Sequence, residues 1–400
     1  MNIEDFDLRA LPQSFYDDPY PIYAALRSVA PVHRLPDGAL FLTRYADLDR
    51  IYRDTSTFSS DKKIEFKPKF GDSPLYEHHT TSLVFNDPPL HTRVRKIIAG
   101  ALTPRALAGM EEGLGALVDE LLDRIESTGS ADVVRDFASA IPVEIIGNLL
   151  AVPRAERQPL RGWSLAILGA LEPAPTAVML QTGNQAVRDF LFYLQGLVAD
   201  RRRHPGDAAA DVLTRLISQE PDGVQLSESE LLHNCIFILN AGHETTTNLI
   251  ANGLQLLIEW PDQRDALLRD PELIKGAVEE FLRFESSNQL GNRRATTDTQ
   301  LGEITVPAGS LLNLCIGAAN RDPEQFEYPE RLDIARKPNR HLAFGSGPHQ
   351  CVGVNLARLE GKVAIGRFID RFPDYRPAGA AVRGRRARFR GFAALPIVVR

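Results

Sequence analysis

The residue most suited to chemistry is Cys351, which lies in residues 344–353, FGSGPHQCVG. Glycines and a proline surround this thiol, and an apolar pattern typical of a helix follows at 354–371. The first turn of a helix carries partial positive charge, which favours a thiolate over a thiol. The glycines leave room beside the backbone for a large flat group. Haem iron bound through a cysteine thiolate fits these demands.

Two other interpretations of Cys351 start from the same residues. Free cysteines are often core residues, but a core cysteine leaves the surrounding glycines and His349 unexplained. A zinc site needs about four ligands, and no second Cys/His pair with zinc spacing accompanies His349 and Cys351. Both interpretations are weaker than haem ligation.

The stretch resembles the haem-binding signature of the cytochrome P450 family, Phe-Gly-x-Gly-x-His-x-Cys-x-Gly, at every fixed position. The resemblance implies haem b, with Cys351 as the metal ligand. It also implies cofactor contacts from a further set: Phe344, Gly345, His349 and Gly353. The implied fold is mainly α with a smaller β portion, triangular, with a long central helix and a cysteine-ligand loop. One haem domain is expected over residues 1–400.

A second motif, Ala-Gly-His-Glu-Thr at 241–245, interrupts a long apolar helical pattern. A glycine inside a helix costs about 1 kcal/mol relative to alanine. A Thr245 hydroxyl bonded to the carbonyl of Ala241 would loosen the helix and open a notch the size of O₂ or water. The motif resembles the family's acid-alcohol pattern. That resemblance implies Glu244 and Thr245 as catalytic residues that steer protons, and Ala241 as a cofactor contact.

The two propionates of haem need cationic or hydrogen-bonding partners. His91 and Arg95 are four residues apart and therefore share a helix face. They resemble the family's His-Thr-Arg-x-Arg stretch, which implies that both contact the propionates. Residues 292–298 resemble the family's strand that bears a further propionate arginine, and the Arg-x-Ala register of that strand implies Arg293 and not Arg294. His349 is a further expected donor.

Glu280 and Arg283 have the spacing of a common helical ion pair, which carries little information alone. Their place before Cys351 resembles the family's Glu-x-x-Arg pair. The resemblance implies that this pair is buried under the cysteine loop and is joined by Arg331. The expected role is structural.

Composition limits the class of protein. The chain has 400 residues, of which 44% are hydrophobic and 24% charged, and its net charge of −6 argues against a dedicated nucleic-acid binder. Three cysteines suggest no disulfide framework, and the N-terminal residues show neither a signal peptide nor a membrane anchor. The apolar run at 231–260 contains histidines, asparagines and a glutamate, which favours a buried helix over a membrane span. A soluble, cytoplasmic protein is expected.

Hydrophobic periodicity predicts the following helices: 18–29, 45–53, 91–101, 105–127, 138–150, 156–169, 177–203, 209–218, 227–258, 262–269, 272–284 and 354–371. The predicted strands are fewer: 31–34, 39–43, 289–296, 304–306, 310–314 and 392–399. Residues 54–90 and 318–350 are rich in Pro, Gly, Asp and Asn and are predicted as long loops.

The family resemblance implies a monooxygenase that inserts one atom of O₂ into a small-to-medium organic substrate, by hydroxylation or O-dealkylation. The sequence has no flavin or iron–sulfur segment, so a separate ferredoxin with its ferredoxin reductase is expected to supply electrons. Arg93, Lys96 and Arg358 are candidates for a basic docking patch. A peroxide-driven peroxygenase should lack the pair Glu244–Thr245. A non-enzymatic haem-thiolate sensor or binding protein would not need it.

The substrate is not indicated by the sequence. The family's substrate-facing segments correspond to 62–85, 165–185, 237–245, 286–292 and 390–394. The first segment contains four lysines, at positions 62, 63, 67 and 69, which either recruit an anionic aromatic substrate or form a solvated loop.

Overall fold

The computed structural model describes residues 3–207, 211–218 and 225–399. The α-helices of these residues are α1 (Gln13–Asp17), α2 (Tyr20–Val29), α3 (Tyr45–Arg53), α4 (Lys63–Phe70), α5 (Pro74–Thr81), α6 (Leu90–Ala101), α7 (Pro104–Thr128), α8 (Ala140–Leu149), α9 (Leu160–Gly169), α10 (Ala177–Arg203), α11 (Val212–Ile217), α12 (Glu228–Glu259), α13 (Pro261–Arg269), α14 (Ile274–Phe284), α15 (Ile316–Ala319) and α16 (Val354–Arg371).

The strands are shorter than the helices. They are β1 (Val32–Arg34), β2 (Leu40–Leu42), β3 (Phe58–Ser59), β4 (Ser130–Asp132), β5 (Leu290–Ala295), β6 (Thr299–Leu301), β7 (Ile304–Val306), β8 (Leu311–Cys315), β9 (Arg376–Pro377), β10 (Val382–Arg383), β11 (Phe392–Ala394) and β12 (Pro396–Val398). The prediction of a mainly α chain with a smaller β portion is confirmed.

The chain forms two compact units. The first contains the described residues within 1–59, 115–140 and 245–400, and the second those within 60–114 and 141–244. All the strands above belong to the first unit, whereas the second is built from helices and turns over its described residues. The boundary falls inside α12, between Glu244 and Thr245.

The main sheet of the first unit has the strand order β1-β2-β8-β5-β3. Strand β2 pairs with β8 in parallel, with Leu42 opposite Leu314, and β5 pairs with β8 in the antiparallel direction. Alternating leucines of these strands point into a core that also holds Leu48 and Ile51 of α3. This sheet therefore holds β5, which carries Arg293, against α3.

Long periodic helices are predicted well. The bounds of α10 and α16 agree with the prediction at both ends, and α12 differs by one residue at each end. Part of the predicted helix 209–218 lies outside the described residues, and α11 occupies Val212–Ile217.

Some predictions were wrong. The expected loop at 54–90 contains α4 and α5. Pro68 inside α4 and the short length of both helices hide the helical period in the sequence. The single strand predicted at 392–399 is two strands, β11 and β12, separated at Leu395.

The chain has no long, strongly apolar helix of the kind that crosses a membrane within the described ranges.

A buried carboxylate organises the chain ahead of the cysteine loop in the first unit. The Arg283 guanidinium donates to both oxygens of Glu280 at 2.8 Å, and both side chains are fully buried. The Arg336 guanidinium approaches the same oxygens at 3.2 Å, and the Asn339 amide donates at 3.0 Å. The expectation that Arg331 is the third member of this group was wrong. Its side chain is exposed, and its backbone carbonyl accepts from Arg283 at 3.2 Å.

A second buried carboxylate, Glu360 of α16, lies on the apolar side of its helix, one turn from Leu356 and from Val363. The Thr246 hydroxyl donates to its Oε2 at 3.3 Å. Burial raises the pKa of Glu360 to about 8, despite the opposing effect of this hydrogen bond. Glu360 is therefore protonated in the folded protein at neutral pH.

The first prediction distinguishes Arg336 from Arg331. Arg336→Ala removes a charged donor from a fully buried carboxylate and should lower the free energy of unfolding by about 1.5–3 kcal/mol. Arg331→Ala changes an exposed side chain and should stay within about 0.5 kcal/mol. Urea unfolding of both variants measures the difference. Equal losses would contradict the assignment of Arg336 to this group.

The second prediction concerns pH. The pKa of Glu360 is about 8 in the folded protein, so the folded chain keeps this proton up to about pH 8, whereas the unfolded chain loses it near the ordinary glutamate pKa of 4.5. Unfolding releases a proton between these values, so the stability of the wild type falls by about 1.4 kcal/mol per pH unit as pH rises. Glu360→Gln should therefore gain about 3 kcal/mol relative to the wild type between about pH 5.5 and 7.5.

The matched control for this pH experiment is Glu279→Gln. The pKa of Glu279 is lowered to about 2, so its contribution is complete above its ordinary value and is lost only as pH falls toward about 2. Its difference from the wild type should stay constant over the same window. A pH-independent difference for Glu360→Gln would show that Glu360 is ionised in the folded protein.

Candidate functional site

The cysteine loop of the first unit ends in a thiol that is exposed just before α16. The amide of Cys351 donates to the carbonyl of Phe344 at 2.9 Å, which closes the loop. The Ser346 hydroxyl donates to Asp49 of α3 at 2.7 Å. Gly347 has φ +68°, and a Cβ there would lie 2.5 Å from the carbonyl oxygen of Tyr52. Only glycine allows this close approach of the loop to α3.

The loop brings together five of the predicted site residues. They are Phe344, Gly345, His349, Cys351 and Gly353, and the side chains of Phe344 and His349 are half-buried. Gly345 has φ +66°, a left-handed conformation that follows the Phe344 ring directly. This arrangement presents an aromatic ring, an imidazole and a thiol on one short segment.

A cluster of charges lies beside this loop in the first unit. Glu279 accepts from Arg358 at 2.7 Å on each oxygen and lies 3.3 Å from His341. Burial raises the pKa of Glu279, but the hydrogen bonds from His341 and Arg358 outweigh it and lower the pKa to about 2. The Arg358 guanidinium lies 5.4 Å from the centre of the Phe344 ring. Glu279 therefore pairs with a cation that lies over the Phe344 ring.

Arg293 lies on β5, where its side chain is buried and Arg294 is half-buried. Adjacent strand residues point to opposite faces, so only one of these arginines can face a given site. The Arg293 guanidinium lies 5.0 Å from the centre of the Tyr52 ring. Since the Tyr52 backbone also contacts Gly347, the first unit packs Arg293 and the cysteine loop against the same residue of α3.

His91 and Arg95 lie one turn apart on α6 in the second unit. His91 is buried and Arg95 is half-buried. Arg93, on the same helix, donates to Glu230 at 2.9 Å and so forms an ion pair of its own. Lys96 is exposed.

Ala241, Gly242 and Glu244 lie in the middle of α12, at the end of the second unit. Ala241 is exposed although most residues around it are buried, and Glu244 is buried. A Cβ on Gly242 would clash with the Ile146 side chain of α8. Close helix packing therefore explains this glycine. Burial, helped by Arg161, lowers the pKa of His243 to about 4, which keeps the imidazole neutral at pH 7.

Thr245 begins the other part of α12, in the first unit, and is half-buried. It directly precedes Thr246, whose hydroxyl binds Glu360. The first unit therefore holds Thr245, Arg293 and the cysteine loop, and the second holds His91, Arg95, Ala241 and Glu244.

The donors of each unit fit haem. The first unit offers an exposed thiol beside glycines and a buried arginine, and the second offers a histidine and an arginine on one helix face. A soft thiolate suits iron, and cationic donors suit propionates. Across the described ranges, no group of three or more His, Cys, Asp or Glu side chains is arranged to hold a metal ion.

The four lysines of the 62–85 segment all have partners inside the second unit. Lys62 binds Glu65 at 2.7 Å, Lys63 binds Asp61 at 2.7 Å, Lys67 pairs with Asp72, and Lys69 donates to the carbonyl of Glu172 at 2.9 Å. Carboxylates therefore pair with three of these lysines, and Lys69 is bound to a backbone carbonyl.

Sequence reasoning missed Glu279, His341 and Glu360 near the site. A signal existed for Glu360, which is an acidic residue at a core position of the helical pattern. None existed for Glu279 and His341, which are 62 residues apart and meet only in the folded chain.

Comparisons with known proteins agree with this geometry. The cytochrome P450 family model matches residues 264–374. Cytochrome P450 107B1 of Saccharopolyspora erythraea is 38% identical, over 94% of this chain and 92% of its own length. Vitamin D(3) 25-hydroxylase of Pseudonocardia autotrophica is 39% identical, over 90% of this chain and 87% of its own. The crystal structure of P450BioI in complex with hexadec-9Z-enoic acid ligated acyl carrier protein is 32% identical. It has a TM-score of 0.91 and covers 97% of this chain and 100% of that one.

The similarities to these three proteins extend over most of each chain, and they confirm the fold and haem b as the cofactor. The activity follows from relatives of this chain that are named as cytochrome P450 monooxygenases and as hydroxylases. The chain belongs to the cytochrome P450 family, the haem monooxygenases that insert one atom of O₂ into an organic substrate.

Proposed function

We propose that Cys351 would hold the haem iron through its thiolate and that this chain oxidises a small-to-medium organic substrate by hydroxylation or O-dealkylation. The exposed thiol at the start of α16 is the observation that supports this assignment. When bound, haem supplies the activation of O₂, with one oxygen atom entering the substrate and the other leaving as water. The chain itself binds and orients the haem, and it moves protons.

The remaining loop residues hold the cofactor. Phe344 and Gly345 precede the ligand on the closed loop, and Gly353 begins the turn into α16. Ala241 has only a methyl side chain and is exposed, which leaves its part of α12 accessible to a flat group.

The propionates are held by cationic and hydrogen-bonding side chains. Arg293 and His349 serve from the first unit, and His91 and Arg95 serve from α6. Charge-assisted hydrogen bonds to carboxylates are among the stronger polar contacts in proteins, so this set orients as well as retains the cofactor.

Protons reach the site through Glu244 and Thr245. Glu244 is buried one turn from Ala241, which is exposed on α12. Thr245 directly follows Glu244 in the sequence. A carboxyl group that binds and releases a proton beside a hydroxyl that passes it on makes a short relay. A peroxygenase or a haem sensor would have no use for this pair.

Electrons come from a ferredoxin served by its ferredoxin reductase. The expected basic patch is weaker than its sequence indicates, because Arg93 pairs with Glu230 and Arg358 pairs with Glu279. Docking through either arginine would require a ferredoxin carboxylate to replace the glutamate, so charge contributes less to this association than three free cations would.

We also propose that residues 1–400 form one haem domain and that the protein is cytoplasmic. One haem domain over 1–400 is supported by relatives that align across both units. A cytoplasmic location is supported by Cys235 and Cys315, which are buried thiols outside any disulfide.

The ligand assignment predicts a spectrum. The reduced wild type with carbon monoxide should show the red-shifted Soret band of thiolate ligation, and Cys351→Ala should abolish it. Cys235→Ala, which alters a buried thiol of α12, is the control and should keep the band. A thiolate band in Cys351→Ala would refute the assignment and, with it, the function proposed for this loop.

The relay predicts a change in how electrons are used. In an assay with ferredoxin, its reductase and a compound that displaces the sixth-ligand water, Thr245→Ala should bind the compound normally. It should lose product per electron by about 10²-fold and release peroxide. Thr245→Ser keeps the hydroxyl and should retain most of the coupling. Unchanged coupling in Thr245→Ala would contradict the relay, and full turnover without ferredoxin would contradict the partner.

A further inference from the structure

An ion pair of the first unit lies against the aromatic residue with which the cysteine loop begins. The Glu279 carboxylate of α14 accepts from the Arg358 guanidinium of α16 at 2.7 Å on each oxygen. The guanidinium also lies 5.4 Å from the centre of the Phe344 ring. The His341 ring lies 5.8 Å from the same ring centre and 3.3 Å from Glu279. Two helices therefore place opposite charges beside one loop.

Hydrogen bonds fix how Glu279 is held. The Nδ1 atom of His341 accepts from the backbone amide of Ala343 at 3.2 Å. A neutral imidazole has one donor nitrogen and one acceptor nitrogen, so the hydrogen of His341 is on Nε2, which faces Glu279. The His341 side chain is 3% exposed. Glu279 is thus held from two sides, by the imidazole and by the guanidinium, and it in turn holds Arg358 at two points.

Arg358 lies near the thiol as well as near Phe344. It is the fifth residue of α16, which begins at Val354 just after the loop. Helical side chains lean toward the N-terminal end of their helix, so Arg358 extends back toward the loop. The hydrogen bonds to Glu279 raise the pKa of Arg358, burial opposes them, and the charges of Glu279 and of a Cys351 thiolate raise it further. The guanidinium and the thiolate are therefore close enough for each charge to act on the other.

Another ion pair of the same helix is far more exposed. Arg367 of α16 pairs with Asp119 of α7, and the two side chains are 47% and 49% exposed. The Glu279 side chain is 24% exposed, and although burial raises its pKa, its hydrogen bonds lower that pKa to about 2 and keep it ionised at neutral pH. Water and salt screen exposed charges more than sheltered ones. The charge of Glu279 therefore acts on its surroundings with less screening than that of Asp119.

We propose that Glu279 is a positioning residue that holds Arg358 against Phe344 and offsets its charge, and that it keeps the reduction potential of haem bound at Cys351 below the value that an unpaired Arg358 would give. The inference rests on the proposed function, because it requires haem at Cys351. Reduction of the iron adds one negative charge, which a nearby cation favours and a nearby anion opposes. The paired charges largely cancel, so removal of either one leaves the field of the other.

The test is a potentiometric titration of the haem-loaded full chain with dithionite and redox mediators, followed by the haem absorption. It uses no ferredoxin, so it is independent of docking. Glu279→Gln leaves Arg358 uncompensated and should raise the equilibrium constant of one-electron reduction about three- to tenfold, which is about 30–60 mV. Arg358→Gln leaves the Glu279 charge and should lower this constant by a similar factor. The double variant should return to within about twofold of the wild type.

The matched control is Arg367→Gln, which removes one exposed positive charge from the same helix. It should change the equilibrium constant by less than about twofold. An ion pair that only joined α14 to α16 would shift both single variants in the same direction and would not be restored in the double variant. Either of these results, or an unchanged potential in both single variants, overturns the proposal. If Glu279→Gln retains no haem, the lowered potential of Arg358→Gln and its restoration in the double variant decide the question.

The carbon monoxide spectrum separates failure of this inference from failure of the proposed function. A wild type without the thiolate band would refute the haem ligand and, with it, the role of Glu279. A thiolate band in the wild type and in all the variants, together with equal reduction potentials, would overturn the role of Glu279 alone. Opposite shifts of the two single variants with the band retained would support it.

Discussion

The carboxylate of Glu280 is the interaction on which the cysteine side of the first unit depends. It is fully buried, and it accepts from Arg283 and Arg336, from the Asn339 amide and from the backbone of Asp333. A buried charge is tolerated only when every lone pair has a donor, so these segments of chain must all converge on α14. Because Arg336 and Asn339 are both held at Glu280, the start of the cysteine loop that follows them is fixed. That loop ends in Cys351.

The environment decides the charge of each buried acid near the cysteine loop. Glu279 faces an arginine and a histidine, and its pKa is lowered to about 2. Among the residues that the structure describes, Glu360 has one hydrogen-bond donor, the Thr246 hydroxyl, and burial raises the pKa of Glu360 to about 8. Glu279, which has cationic partners, is therefore ionised, whereas Glu360, which is bound by the Thr246 hydroxyl of α12, remains neutral. The interior next to the Thr245 hydroxyl thus carries no fixed negative charge from Glu360.

Much of the fold and part of the site could be predicted from the sequence because they depend on local patterns. The bounds of α16 follow from its apolar period, and the cysteine loop follows from a dense signature over ten residues. The structure buries Arg293 and leaves Arg294 half-buried, and the role of Arg293 at the propionates stays a prediction. Arg336 was missed because its partner Glu280 is 56 residues earlier and a nearby arginine, Arg331, matched the expected spacing. Such pairings depend on how loops fold back, which no local period encodes.

Buried polar side chains that have hydrogen-bond partners are explained by the fold. Arg283, Asn234 and Lys62 are buried and bonded, so packing alone accounts for each of them.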